Sequence, residues 1–209
     1  MGESGAGRSG LNDPPAAAAW SRLHHGIDPS GPMLRTYLAV VTAAVRRLRF
    51  VRPLVFTVVG AVLAVDAVLL AARDPWVAFG LVLASTACDA LDGAVAIASG
   101  RVSRAGARAD KLADRVADTA FALVLWRCGA PWGIAVAAGA LSLLHEALRE
   151  VRGGALRARI TVAERPTRVI CAALGTACAA ISSATWPVSV CGAVWCALAV
   201  VGLAQLARS

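Results

Sequence analysis

"CDALDGAVAIASGRVSRAGARADKLADRVAD", residues 88–118, sets five aspartates into a chain whose other long stretches are apolar. Asp89 and Asp92 are three apart and Asp110 and Asp114 four apart, so on helices each pair shares one face, which Asp118 continues on the second segment. The break at "SGRVS" (99–103) separates the two segments. Folded back as an antiparallel hairpin, they set Asp89 level with Asp114 and Asp92 level with Asp110. Carboxylates in one row then stand roughly 4.5–6 Å apart along the axis, at 1.5 Å per residue. That box suits two divalent cations, which in two-metal sites lie roughly 3.5–4 Å apart. Oxygen donors with no His or Cys among them favour Mg²⁺ or Mn²⁺ over zinc. Two such ions would balance four carboxylates, each of which costs about 2.5–3.5 kcal/mol unpaired at the middle of a bilayer. Gly93 and Gly106 remove side chains beside the box and leave room for a flat or phosphate-bearing group. Ser103 reads as the N-cap of the second segment.

Working outward, the chain has 209 residues, 58% hydrophobic and 16% charged, which excludes an ordinary soluble domain. Apolar spans at about 51–72, 76–99, 105–127, 131–149, 166–185 and 187–207 are each near the length that crosses a bilayer. The fold class is therefore all-α integral membrane, with six transmembrane helices. Before them, "MLRTYLAVVTAAVRRLRF" (33–50) has helical apolar spacing and a basic end, and reads as an interfacial amphipathic helix. Residues 1–32, rich in Gly, Pro, Ser and Ala, read as a disordered cytoplasmic tail in which His24 and His25 are a solvated pair. Residues 51–209 form the six-helix domain.

Lys and Arg outnumber Asp and Glu 21 to 13. The excess clusters around two connections, with Arg101, Arg104 and Arg108 at one and Arg149, Arg152, Arg157, Arg159, Arg165 and Arg168 at the other. The positive-inside rule then puts both termini and the two basic connections, and with them the acidic box, on the cytoplasmic side of the cell membrane. Trp76, Trp132 and Trp186 fall near the opposite interface. The basic excess points to anionic membrane lipids, and no nucleic acid partner is expected. Six cysteines without metal-ligand spacing read as small apolar packing residues.

The acidic stretch resembles the CDP-alcohol phosphatidyltransferase family, whose pattern is D-x2-D-G-x2-A-R, a spacer, then G-x3-D-x3-D. Here it runs Asp89, Asp92, Gly93, Ala96, Gly106, Asp110 and Asp114, with every spacing kept. Ile97 stands where the family has Arg, and Leu54, after Pro53, where it has Asn. The resemblance covers the chain from about residue 51 onward. It implies a phospholipid synthase that transfers a phosphatidyl group from a CDP-linked lipid such as CDP-diacylglycerol to a polar alcohol, releasing CMP. It implies Asp89, Asp92 and Asp110 as ligands of two Mg²⁺ or Mn²⁺ ions, and Asp114 as the catalytic base, also touching a metal. Gly93, Ala96 and Gly106 would border the nucleotide, and a homodimer is common in the family.

"AERPTR" (163–168) is similar to the E-R-P-x-R segment of the phosphatidylinositol-phosphate synthase branch. It implies that Arg165 and Arg168, on one helical face, bind the phosphate of the acceptor, an alcohol phosphate such as inositol phosphate. Glycerol phosphate remains an alternative acceptor. Among other readings, a cation or proton transporter would also place carboxylates in the membrane, and an inactive family member would account for Ile97 and Leu54. Asp118 reads as a residue that orients a ligand or pairs with Arg115. Asp66 reads as structural. His145 and Glu146 read as lining the cavity or as polar groups of a helix end.

Overall fold

Proline opens four of the six helices, its fixed φ and missing N–H being tolerated in the first turn. The structure, a computed structural model, describes residues 45, 47, 48, 50–101, 103–152 and 161–208. Among these, the helices are α1 (Pro53–Leu70), α2 (Pro75–Ala98), α3 (Arg104–Arg127), α4 (Trp132–Arg152), α5 (Arg165–Ile181) and α6 (Trp186–Ala207), with no strand. The expected tail at 1–32 lies outside the described residues, as does most of the expected interfacial helix at 33–50.

Local chemistry sets the boundaries. Asp74 caps α2 by accepting from Val77 N at 3.1 Å, and Ser103 caps α3 by accepting from Gly106 N at 3.0 Å. Gly129, just past α3, has φ +104°, and a Cβ there would meet Thr185 Cγ2 at 2.6 Å, so only glycine fits the turn. Helix α5 ends four residues before its expected limit of 185. Ser182 is extended there, and its Oγ accepts from Ala184 N at 3.1 Å, an alternative to the helical hydrogen bond.

Helices α1, α2 and α6 are long and apolar enough to cross a membrane. The first half of α3 carries most of its charged groups, and α5 has only 17 residues. Large apolar side chains such as Leu54, Val62, Leu69, Val136, Ile170 and Val201 are exposed on the outer faces. That exterior is compatible with a lipid environment, where small residues pack the interior. The core is correspondingly alanine-rich, filled by Phe121, Leu125 and Trp195, and Trp195 Nε1 donates to Ser142 Oγ at 2.9 Å.

Three short connections gather at one end: Cys128 Sγ lies 3.9 Å from Ala71 O, and Gly129 backs onto Thr185. The acidic stretch occupies the other end, with the starts of α1, α3 and α5 and the later turns of α2 and α4. The expected hairpin is modified here. Helices α2 and α3 touch only sparsely along their length, whereas α1 packs extensively against both. Gly60 permits this: a Cβ there would lie 3.2 Å from Cys88 Cβ, and Ser85 Oγ donates to Gly60 O at 2.8 Å.

Candidate active site

Asp89, Asp92 and Asp110 each offer a carboxylate oxygen within 4.8 Å of the others. A side-chain donor set made only of oxygens at that spacing fits a hard divalent cation. Asp92 is buried, and Asp89 and Asp110 are half-buried. The first two come from one face of α2 and the third from the second turn of α3. Thr57 of α1 completes the wall, donating its hydroxyl to Asp92 Oδ2 at 2.8 Å. Nothing in the acidic pattern indicated Thr57. The available signal was a polar residue one turn after Pro53 in an otherwise apolar run.

Asp114 stands apart from this group of three. Its Oδ1 accepts from Arg165 Nη1, and the same nitrogen donates to Asp89 Oδ1 at 2.5 Å. Arg165 thus ties the start of α5 to both α2 and α3. Among the described residues its Nε is buried without an acceptor. A small cleft between α1, α2 and α3 is lined by Thr57, Gly60, Asp89, Asp92, Asp114 and Arg165.

The glycines differ from one another. A Cβ on Gly93 would meet no atom of the described residues within 4 Å, so packing among them does not require glycine there. Gly106 lies in the first turn of α3, where a Cβ would sit 3.1 Å from the capping Ser103 Oγ. Ala96 is half-buried, while Ile97, Arg101, Arg104 and Arg108 are exposed.

Arg168 and Asp118 form a second, deeper layer, 2% and 4% exposed. Arg168 Nη1 donates to Asp118 Oδ2, Nε to Ala163 O at 3.1 Å, and Nη2 to Glu146 Oε1 at 2.8 Å and His145 Nδ1 at 3.3 Å. Of the two readings of Asp118, orienting a ligand or pairing with Arg115, the second is not met. That arginine instead meets Glu150 Oε2 at 2.9 Å, beside Lys111 at 3.2 Å from Oε1. A guanidinium has donors only, so His145 Nδ1 accepts, and its Nε2–H faces Thr161 Oγ1 at 2.9 Å. Glu164 Oε1 accepts from Thr161 N at 3.0 Å, and its Oε2 from Arg149 at 2.8 Å. His145 and Glu146 therefore belong to this network. Asp66, half-buried on α1, lies nine residues beyond Thr57 and outside the acidic group.

Among the described residues, an all-helical architecture with an apolar exterior is compatible with a membrane protein, and its acidic cluster lies at one end. The sequence model of the CDP-alcohol phosphatidyltransferase family matches residues 50–205, most of the chain, which therefore belongs to that family. It is a phosphotransferase of phospholipid biosynthesis, acting on a CDP-alcohol and an alcohol acceptor. Neither a curated protein nor a solved structure gave a significant match.

Proposed function

We propose that this enzyme transfers the phosphatidyl group of CDP-diacylglycerol to the hydroxyl of a polar alcohol phosphate and releases CMP. The observation that carries this reading is the convergence of Asp89, Asp92 and Asp110 within 4.8 Å, with Arg165 seated against Asp89. Asp89, Asp92 and Asp110, joined by Asp114, are the proposed holders of two Mg²⁺ or Mn²⁺ ions. When bound, these supply Lewis-acid stabilisation of charge on the phosphoryl oxygens and on departing CMP.

The chain's own groups provide the rest. The acceptor oxygen bonds to the lipid-side phosphorus, and the bond from that phosphorus to the bridging oxygen breaks, so the bridging oxygen leaves with CMP. Asp114 takes the hydroxyl proton. A carboxylate beside positive charge is a weak base, so its larger contribution is to orient the hydroxyl. Arg165, 20% exposed at its side chain and lining the acidic cleft, is the proposed contact for the acceptor phosphate through its forked donors. Gly93, Ala96 and Gly106 border the nucleotide in this reading, and the bare surface at Gly93 supports room for it.

The reading includes six membrane crossings for the 51–209 domain, with the site and both termini on the cytoplasmic side of the cell membrane. The three connections gathered at the far end support that alternation. The "ERPTR" segment favours inositol phosphate as acceptor, with glycerol phosphate the alternative.

The test is CMP release by the purified chain given CDP-diacylglycerol, Mg²⁺ or Mn²⁺, and a panel of alcohol phosphates. Metal-dependent release that Asp110→Asn abolishes supports the proposal. Nucleotide binding without release from any acceptor would mark an inactive member, and ion flux without release a transporter.

A further inference from the structure

Both arginines of "ERPTR" were expected to hold the acceptor phosphate, yet their surroundings differ. Arg168 is 2% exposed, and all three of its guanidinium nitrogens already donate to protein acceptors on three segments of the chain. A phosphate would have to displace two carboxylates, at the cost of exposing or orphaning charge inside the bundle. Arg165, one turn earlier, is 20% exposed at its side chain and lines the cleft with Asp89, Asp92 and Asp114.

We infer that Arg168 is a positioning residue: with Asp118, Glu146 and His145 it forms a buried clamp that fixes the first turn of α5, so that Arg165 is presented to the acidic site. Asp118 is on α3 and the other two are on α4, so the clamp joins three helices. Its bond to Ala163 O also fixes the chain just before α5. The Thr161, Glu164 and Arg149 contacts hold the same segment. Arg165 lies three residues before Arg168 on the same helix, and a rotation of that first turn would carry it away from Asp89 and Asp114. The clamp thus sets acceptor affinity without touching the acceptor.

This inference rests on the proposed function for its substrate and on geometry for its existence, and the two are tested separately. For the clamp itself, thermal unfolding of the full chain in detergent is measured for Asp118→Asn, Arg168→Gln and the double variant. Each single change orphans a buried partner and the double change removes both, so the double variant is expected to be no less stable than the worse single. Additive losses would overturn the clamp. Glu146→Gln, at the partly exposed edge of the network, serves as the milder variant if the others do not fold.

For its effect, KM for the acceptor and for CDP-diacylglycerol are measured with whichever alcohol phosphate supports CMP release. Asp118→Asn and Glu146→Gln are expected to raise the acceptor KM about tenfold, a 1.4 kcal/mol change, with the lipid KM unchanged. Arg168→Lys is expected to recover only part of the loss, because an ammonium cannot reproduce the fork. If Arg168 bound the phosphate directly, Asp118→Asn and Glu146→Gln would leave or lower the acceptor KM, which overturns the positioning role. A fall in kcat alone, with both KM values unchanged, would also overturn it, leaving a purely structural tie. Should the wild type release no CMP, the proposed function falls together with the acceptor-affinity effect, while the unfolding cycle still decides the clamp.

Discussion

Thr57 on α1 donates its hydroxyl to Asp92 on α2 across 2.8 Å, so α1 reaches into the acidic site through this hydroxyl. Both residues are buried, and the bond is to a carboxylate, which makes it stronger than a neutral pair. Thr57→Val keeps the shape and deletes the donor. It is expected to weaken Mn²⁺ binding about 10- to 100-fold, the usual cost of losing a partner that orients a ligand. Thr57→Ser should retain most of the affinity. Electron paramagnetic resonance titration of Mn²⁺ into the purified variants measures both.

Asp110 is the one member of the close acidic group that α3 supplies, so it alone closes the group against α2. Asp110→Asn is expected to reduce metal-dependent CMP release to background while leaving the thermal midpoint within a few degrees of wild type. Retained activity at saturating metal would remove Asp110 from the ligand set.

Arg165 is expected to act on the acceptor side. Arg165→Lys preserves charge but loses the forked donors, and should raise the acceptor KM by about 10- to 100-fold, from 1.5–3 kcal/mol for a hydrogen bond to a charged group. Steady-state kinetics with each substrate varied in turn would show whether the effect is confined to the acceptor.

Gly93 and Gly60 should separate room for a ligand from room for a helix. Gly93→Ala meets no atom of the described residues within 4 Å, and alanine suits a helix interior better than glycine by about 0.5–1 kcal/mol. The variant should be at least as stable as wild type, yet show a raised KM for CDP-diacylglycerol. Gly60→Ala brings a methyl to 3.2 Å from Cys88 Cβ and 3.3 Å from Ser85 O, and should destabilise by about 1–3 kcal/mol. Thermal melts beside kinetics would distinguish the two.

Gly129→Ala faces two penalties, the +104° φ and the 2.6 Å approach to Thr185 Cγ2. A loss of about 1–3 kcal/mol is expected from the backbone alone. Adding Thr185→Ser, which removes the methyl, should restore only part of it, and unfolding of the single and double variants measures the division.

Much of this architecture was legible without coordinates because its signals are local. Pro53, Pro75, Pro166 and Pro187 lie in first turns, Ser103 and Asp74 are caps, and the three- and four-residue spacings of the aspartates place each pair on one face. A helix start is decided by a few consecutive residues, so a linear pattern can carry it. The same holds for the family resemblance, which rests on spacings within 26 positions. The end of α5 was misplaced because the span was run on through the polar Ser182, Ser183 and Thr185, where Ser182 offers the backbone another partner.

The choice of partners was not local. Asp114 meets Arg165 across 51 positions, Asp118 meets Arg168 across 50, and Thr57 meets Asp92 across 35. Spacing within a helix says which side chains share a face but not what that face meets, and α1 rather than α3 covers most of α2 because Gly60 lets it approach. The sequence alone therefore determined the helices, their acidic faces and the family. Only the packing of separate helices decided which carboxylates converge, which one is held by arginine, and which arginine is buried.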